Sequence, residues 1–144
     1  MKKLLLLLAM ALLMLCLCSC PSSNTEKQNN EVVLSFVNQC NNTAIYGLHV
    51  EYYIEDKAIA GHLVSLNPDM DTPFQKGETI SIYLIQKDFP ENADLHNFAM
   101  QVFIVLENKS EVELGDIIRL PVEFGKNYQF LLVESNGNCS IRPS

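Results

Sequence analysis

The sequence predicts an all-β domain, two antiparallel sheets packed as a sandwich, and three observations carry that expectation. From Glu31 onward apolar residues recur with a period of two rather than 3.6. Turn-forming residues interrupt these runs at close intervals, as in sandwiches and barrels. No stretch beyond the leader has the 3-4 spacing of an amphipathic helix.

Each strand has its own signal. Val32, Leu34 and Phe36 alternate with Val33, Ser35 and Val37 in the first. Tyr46, Leu48, Val50, Tyr52 and Ile54 alternate with Gly47, His49, Glu51, Tyr53 and Glu55, the pattern of a half-buried strand. Asp56-Lys57 reads as a tight turn, and Ala58 to Leu66 as the returning strand. Asn67 to Pro73 is a loop, with two prolines fixing φ and two aspartates suited to turns. After a Lys76-Gly77 turn, Glu78 to Lys87 places Ile80, Ile82 and Leu84 on one face. Asp88 to Asn97 is irregular, with room for one helical turn.

Phe98 to Glu107 is the strongest strand, with Phe98, Met100, Val102, Ile104 and Leu106 in register. Asn108-Lys109 turns it into Glu111–Leu114. Ile118, Leu120, Val122 and Phe124 continue the alternation, with Pro121 marking an edge or bulge. Gly125-Lys126 leads to Tyr128–Glu134, Asn136-Gly137 is a two-residue hairpin signal, and Cys139 to Arg142 is a short last strand. The expectation is seven or eight strands.

The N-terminus has a different character. Met1-Lys2-Lys3 is positive, and Leu4 to Leu17 is nearly pure Leu, Ala and Met, the layout of a secretory signal. The run is short for a membrane-spanning helix, which needs about 17–25 apolar residues. Leu17-Cys18-Ser19-Cys20 resembles the lipobox of bacterial lipoproteins: aliphatic at −3, small at −1, then cysteine. The resemblance covers the first 20 residues. It implies cleavage after Ser19 and a diacylglyceryl thioether on Cys20, with Cys18 at the tolerant −2 position. It also implies export to the bacterial cell envelope, and Pro21 rather than Asp after the cysteine resembles the outer-membrane pattern where a cell has two membranes. The expected organisation is a signal peptide over 1–19, a lipidated tether over 20–30 and a sandwich over 31–144. Of the known sandwiches the immunoglobulin-like one suits the size, although the chain has no Trp and its cysteines do not follow that family's pattern.

Composition limits the function classes. Losing Lys2 and Lys3 leaves eight Lys+Arg against 17 Asp+Glu, a formal charge of −9. Such a surface repels nucleic acid, which is excluded as a partner. With Cys16 and Cys18 removed and Cys20 lipidated, Cys40 and Cys139 remain. An even pair in an exported domain favours a disulfide, with two separate buried thiols as the alternative. It would close a loop of about 100 residues, worth roughly 4–5 kcal/mol by loop-closure entropy.

No catalytic or cofactor motif is present: no G-x-S-x-G, no phosphate-cradling glycine loop, no H-E-x-x-H. The expectation is no enzyme and no cofactor. His49, with Glu51, and His62 and His96 fall on separate segments and do not predict a metal site, which needs three or four converging ligands. Asp69 and Asp71 lack the glycine and ligand spacing of a calcium loop. Tyr53, Tyr83, Ile85, Phe103 and Val105 lie opposite the main apolar stripes of their strands. If exposed, they form an aromatic face for a protein or glycan. The expected function is a membrane-anchored cell-surface or periplasmic binding module. The alternative is a small ligand-binding, metal-binding or protease-inhibiting domain working through the 67–73 or 88–97 loop.

Overall fold

The computed structural model describes residues 30–64 and 71–144. The signal peptide, Cys20, most of the tether, and the loop segment containing Asp69 lie outside the described residues. Among those described, nine strands form two sheets packed face to face: β1 (Glu31–Asn38), β2 (Gly47–Ile54), β3 (Lys57–Val64), β4 (Thr79–Ile85), β5 (Phe98–Val105), β6 (Glu111–Glu113), β7 (Ile118–Arg119), β8 (Asn127–Ser135) and β9 (Asn138–Pro143). One sheet has the order β4-β1-β8-β9. The other runs β3-β2-β5-β6, with β7 also on β5. The all-β sandwich expected from alternation is the fold.

The core forms where the stripes of the two sheets meet. Val32, Leu34 and Phe36 from β1 join Ile80, Ile82 and Leu84 from β4, and Phe130 and Leu132 from β8. Facing them are Leu48, Val50, Tyr52 and Ile54 from β2, and Phe98, Met100, Val102 and Ile104 from β5. Phe36 and Phe130 stack across neighbouring strands with centroids 5.5 Å apart. Burial of these side chains, at about 1.5–3 kcal/mol for each large one, is the main force holding the sheets together.

Three local details differ from the expectation. The β2–β3 turn is Glu55-Asp56, both at positive φ (51° and 64°), and Lys57 already belongs to β3. β3 is described as far as Val64, and the expected continuation to Leu66 lies outside the described residues. In the 118–124 run only Ile118 and Arg119 enter a sheet. Pro121 has no N–H to donate, and the chain turns instead across one end of the sandwich, where the Val122 N–H donates to the Leu95 carbonyl (3.0 Å). Finally, the pairing is not antiparallel throughout: β1 and β8 run parallel, Phe36 beside Phe130. Strands 90 residues apart in sequence need no hairpin between them, so nothing local forces the antiparallel sense.

The two ends of the sandwich are distinct. At the near end, β1 starts at Glu31, opposite Ile85 of β4, and the Gly125 N–H donates to the Glu31 carbonyl (2.8 Å). Phe89, Phe98 and Phe124 pack edge to face there, closing the gap between the sheets. Two 3-10 turns, Gln86–Asp88 and Leu95–Asn97, bracket that irregular segment. At the far end lie Asn38 to Tyr46, the 106–110 turn and the Asn136-Gly137 hairpin.

Candidate functional site

Alternation along a strand decides which residues reach solvent, and register decides which of them meet. On the outer face of the five-stranded sheet, register aligns Leu63 of β3, His49 of β2, Phe103 of β5 and Glu113 of β6 in one row. The next row is Gly61, Glu51 and Gln101; the next is Ala58, Tyr53, Ala99 and Arg119. The His49 and Phe103 rings stack at 5.3 Å and 26°. His49 Nδ1 lies 2.9 Å from Glu111 Oε2. Tyr53 donates its hydroxyl hydrogen to Glu51 Oε2 at 2.6 Å, and that bond holds the phenol proton above its ordinary pKa. Leu63 is 55% exposed beside this row.

The structure therefore brings Tyr53 and Phe103 onto one face, with His49 and Leu63 completing it. It does not bring Tyr83 there. Tyr83, 58% exposed, lies on the outer face of β4 in the other sheet, opposite Val33, with Ile85 on the same strand. Val105 is buried, although its side of β5 is the outer one. Gln101 is also buried on that side and donates from Nε2 to the Gly115 carbonyl (2.9 Å). The expected five-residue patch is thus two patches on opposite sides of the sandwich.

Cys40 and Cys139 are brought together. Cys40 follows β1, Cys139 lies in β9, and β8 runs between them; their sulfurs are 3.4 Å apart. Cys40 is buried and Cys139 half-buried. Burial first, and then the hydrogen bond with Cys139, pushes the Cys40 thiol up to about 12. Glu134, opposite Cys139 in the β8–β9 ladder, accepts the backbone N–H groups of Asn42 (2.8 Å) and Asn41 (3.0 Å) and the Thr43 hydroxyl (3.3 Å). The Asn42 and Asn41 amides hold its carboxyl below the usual range.

The histidines do not converge. His49 faces outward, whereas His62 faces inward against Tyr52, with ring centroids 5.3 Å apart. His96 sits in the second 3-10 turn. Among the described residues no three of His, Cys, Asp or Glu are grouped to hold a metal. The Tyr52 hydroxyl and His62 Nδ1 are buried without a hydrogen-bond partner, and burial pushes the Tyr52 phenol well up. At the near end a groove of about 710 Å³ opens beside Lys87, Phe89, Glu91, Asn92, Leu95 and Phe124. It occupies the 88–97 segment expected to serve the ligand-binding alternative.

Two features were invisible to strand patterning. Asn38 is buried: its amide nitrogen donates to the Phe74 carbonyl and its oxygen accepts the Cys40 N–H (2.9 Å). The Glu134 clamp joins residues more than 90 apart. Strand patterning misses both because the Phe74 carbonyl and the 41–43 segment reach their partners from distant elements; only the Asn38–Cys40 contact is local.

No protein-family model matches the chain. No curated protein matches it. Among solved structures it is similar to a candidate cell adhesion protein from Bacteroides ovatus (13% identity, TM-score 0.41, 80% of this chain and 43% of that one). It is similar to listeriolysin O at 13% identity and a TM-score of 0.38, over 79% of this chain and 22% of the other. The membrane-binding domain of pneumolysin aligns at 8% identity and a TM-score of 0.33, over 80% of this chain and 95% of that one. The chain thus spans about a fifth of listeriolysin O and less than half of the adhesion protein. At these TM-scores the likeness carries no conclusion about function.

Proposed function

We propose that this chain is an exported, non-enzymatic protein, anchored through lipid on Cys20, whose sandwich binds an envelope protein or glycan. The observation that carries the binding half is the Leu63–His49–Phe103 row. An exposed aliphatic group and a stacked pair of rings stand beside Glu51, Glu111 and Glu113, and Tyr53 adds a phenol. Flat rings edged by carboxylates and a histidine supply both contact area and hydrogen-bonding groups, as protein and sugar recognition require. The anchoring half rests on the lipobox-like residues 17–20. Such attachment contributes about 0.8 kcal/mol per buried methylene, enough for stable residence with two or more chains.

Affinity capture with the full chain from envelope extract tests the face. Phe103→Ala together with Tyr53→Ala should remove a captured component that Tyr83→Ala, on the opposite sheet, retains. Equal capture by all three proteins would rule the face out. A second reading, a small-ligand site, is favoured by the near-end groove, whose volume lies within the usual range of about 300–1,000 Å³. A small molecule retained by the purified chain in native mass spectrometry, and lost on Phe124→Ala, would move the assignment there.

A further inference from the structure

We propose that Cys40 and Cys139 form a disulfide, and that in the folded domain it closes by thiol–disulfide exchange entering at Cys139. The sulfurs already face one another at 3.4 Å across β8; Cys139 sits in the β8–β9 ladder, and Cys40 follows β1 by two residues with its N–H held by the Asn38 side chain. Exposure separates their roles. Cys139 lies on β9, the outermost strand of its sheet, and is half-buried, whereas Cys40 is 4% exposed. An incoming disulfide meets Cys139 first.

The chemistry balances with an external disulfide, a protein or a small molecule, as oxidant. The Cys139 thiolate attacks one sulfur of that disulfide and expels the first thiolate. Cys40 then loses its proton to water and attacks the Cys139 sulfur of the mixed disulfide, expelling the second. The domain loses two protons and two electrons, and the external disulfide becomes two thiols. Cys40 acts as the resolving thiol, and burial keeps it protonated near neutrality. The closed bond would join the end of β1 to β9 directly beneath the 41–43 segment that Glu134 holds. The oxidising setting rests on the export proposed above; the pairing and its order rest on the geometry alone.

The test uses the full chain, reduced, exposed to glutathione disulfide, alkylated without reduction and cut with trypsin. Peptides 28–57 and 127–144 carry Cys40 and Cys139, and Cys16, Cys18 and Cys20 all fall in another peptide. The expected product is the linked pair of those peptides. In folded Cys40→Ser protein, Cys139 should take up glutathione at least tenfold faster than Cys40 does in folded Cys139→Ser protein. That difference should vanish in denaturant. Unlinked peptides after oxidation would overturn the pairing, and equal or faster modification of Cys40 would overturn the order. Linkage in vitro with reduced thiols in cells would contradict export while leaving the pairing standing.

Discussion

At the residue scale, Asn38 is a buried polar side chain with two backbone partners. It is 2% exposed, and its amide serves two buried backbone groups, the Phe74 carbonyl and the Cys40 N–H. Asn38→Leu keeps the volume but strands both groups, each costing about 1–3 kcal/mol when unpaired. Urea unfolding should show a loss of about 2–4 kcal/mol, and a change below about 0.5 kcal/mol would contradict the bonding described. Glu134 acts through charge instead. Its carboxyl is held below the usual range by the Asn42 and Asn41 amides, so the folded state binds that proton less readily than the unfolded chain. The clamp therefore stabilises above the ordinary carboxylate range and is lost as pH falls through the lowered folded-state value. Glu134→Gln should flatten the acid limb of the stability–pH curve and speed amide exchange at Asn41 and Asn42. An unchanged acid limb would place the titrating group elsewhere.

At the element scale the β2–β3 hairpin shows what patterning reads and what it misses. The alternation of β2 and the polar interruption after Ile54 were both legible. The position of the turn was not, because it is set by where two residues adopt positive φ. Glu55 and Asp56 take that conformation without the usual Asn or Gly, at about 1–2 kcal/mol per residue. Asn136 and Gly137 adopt it with the favoured residues, and that turn was legible outright. Glu55→Asn should raise stability by about 0.5–1 kcal/mol in thermal or urea unfolding, and a decrease would show that Glu55 contributes something else there. The 118–124 run failed for a different reason. Its alternation is real, but Pro121 and the bond from Val122 to Leu95 send it across the sandwich end rather than into a ladder.

At the scale of the whole molecule, alternation assigns each residue to a face of its own strand but not to a sheet. Tyr83 illustrates the gap. Its outward position on β4 was legible, yet β4 joins the sheet opposite β2 and β5, a choice made by long-range pairing with β1. The two outer faces consequently differ. Thr79, Ser81, Tyr83, Val33, Val37, Gln129 and Leu131 lie on one, with Glu31 and Arg142 at its margins. Glu51, Glu111 and Glu113 surround His49 and Phe103 on the other. The two cysteines, by contrast, were singled out by counting thiols, and the fold places their sulfurs 3.4 Å apart. β1 begins at the near end, so the chain enters the sandwich beside the 86–97 segment and the Phe89–Phe98–Phe124 cluster. The most direct measurement is the mass of the N-terminal tryptic peptide of the protein recovered from membranes of the native host. The expected result is a peptide running from Cys20 to Lys27 that carries a diacylglyceryl group and is absent from Cys20→Ser protein. An unmodified Cys20, or a protein found wholly in the soluble fraction, would contradict it.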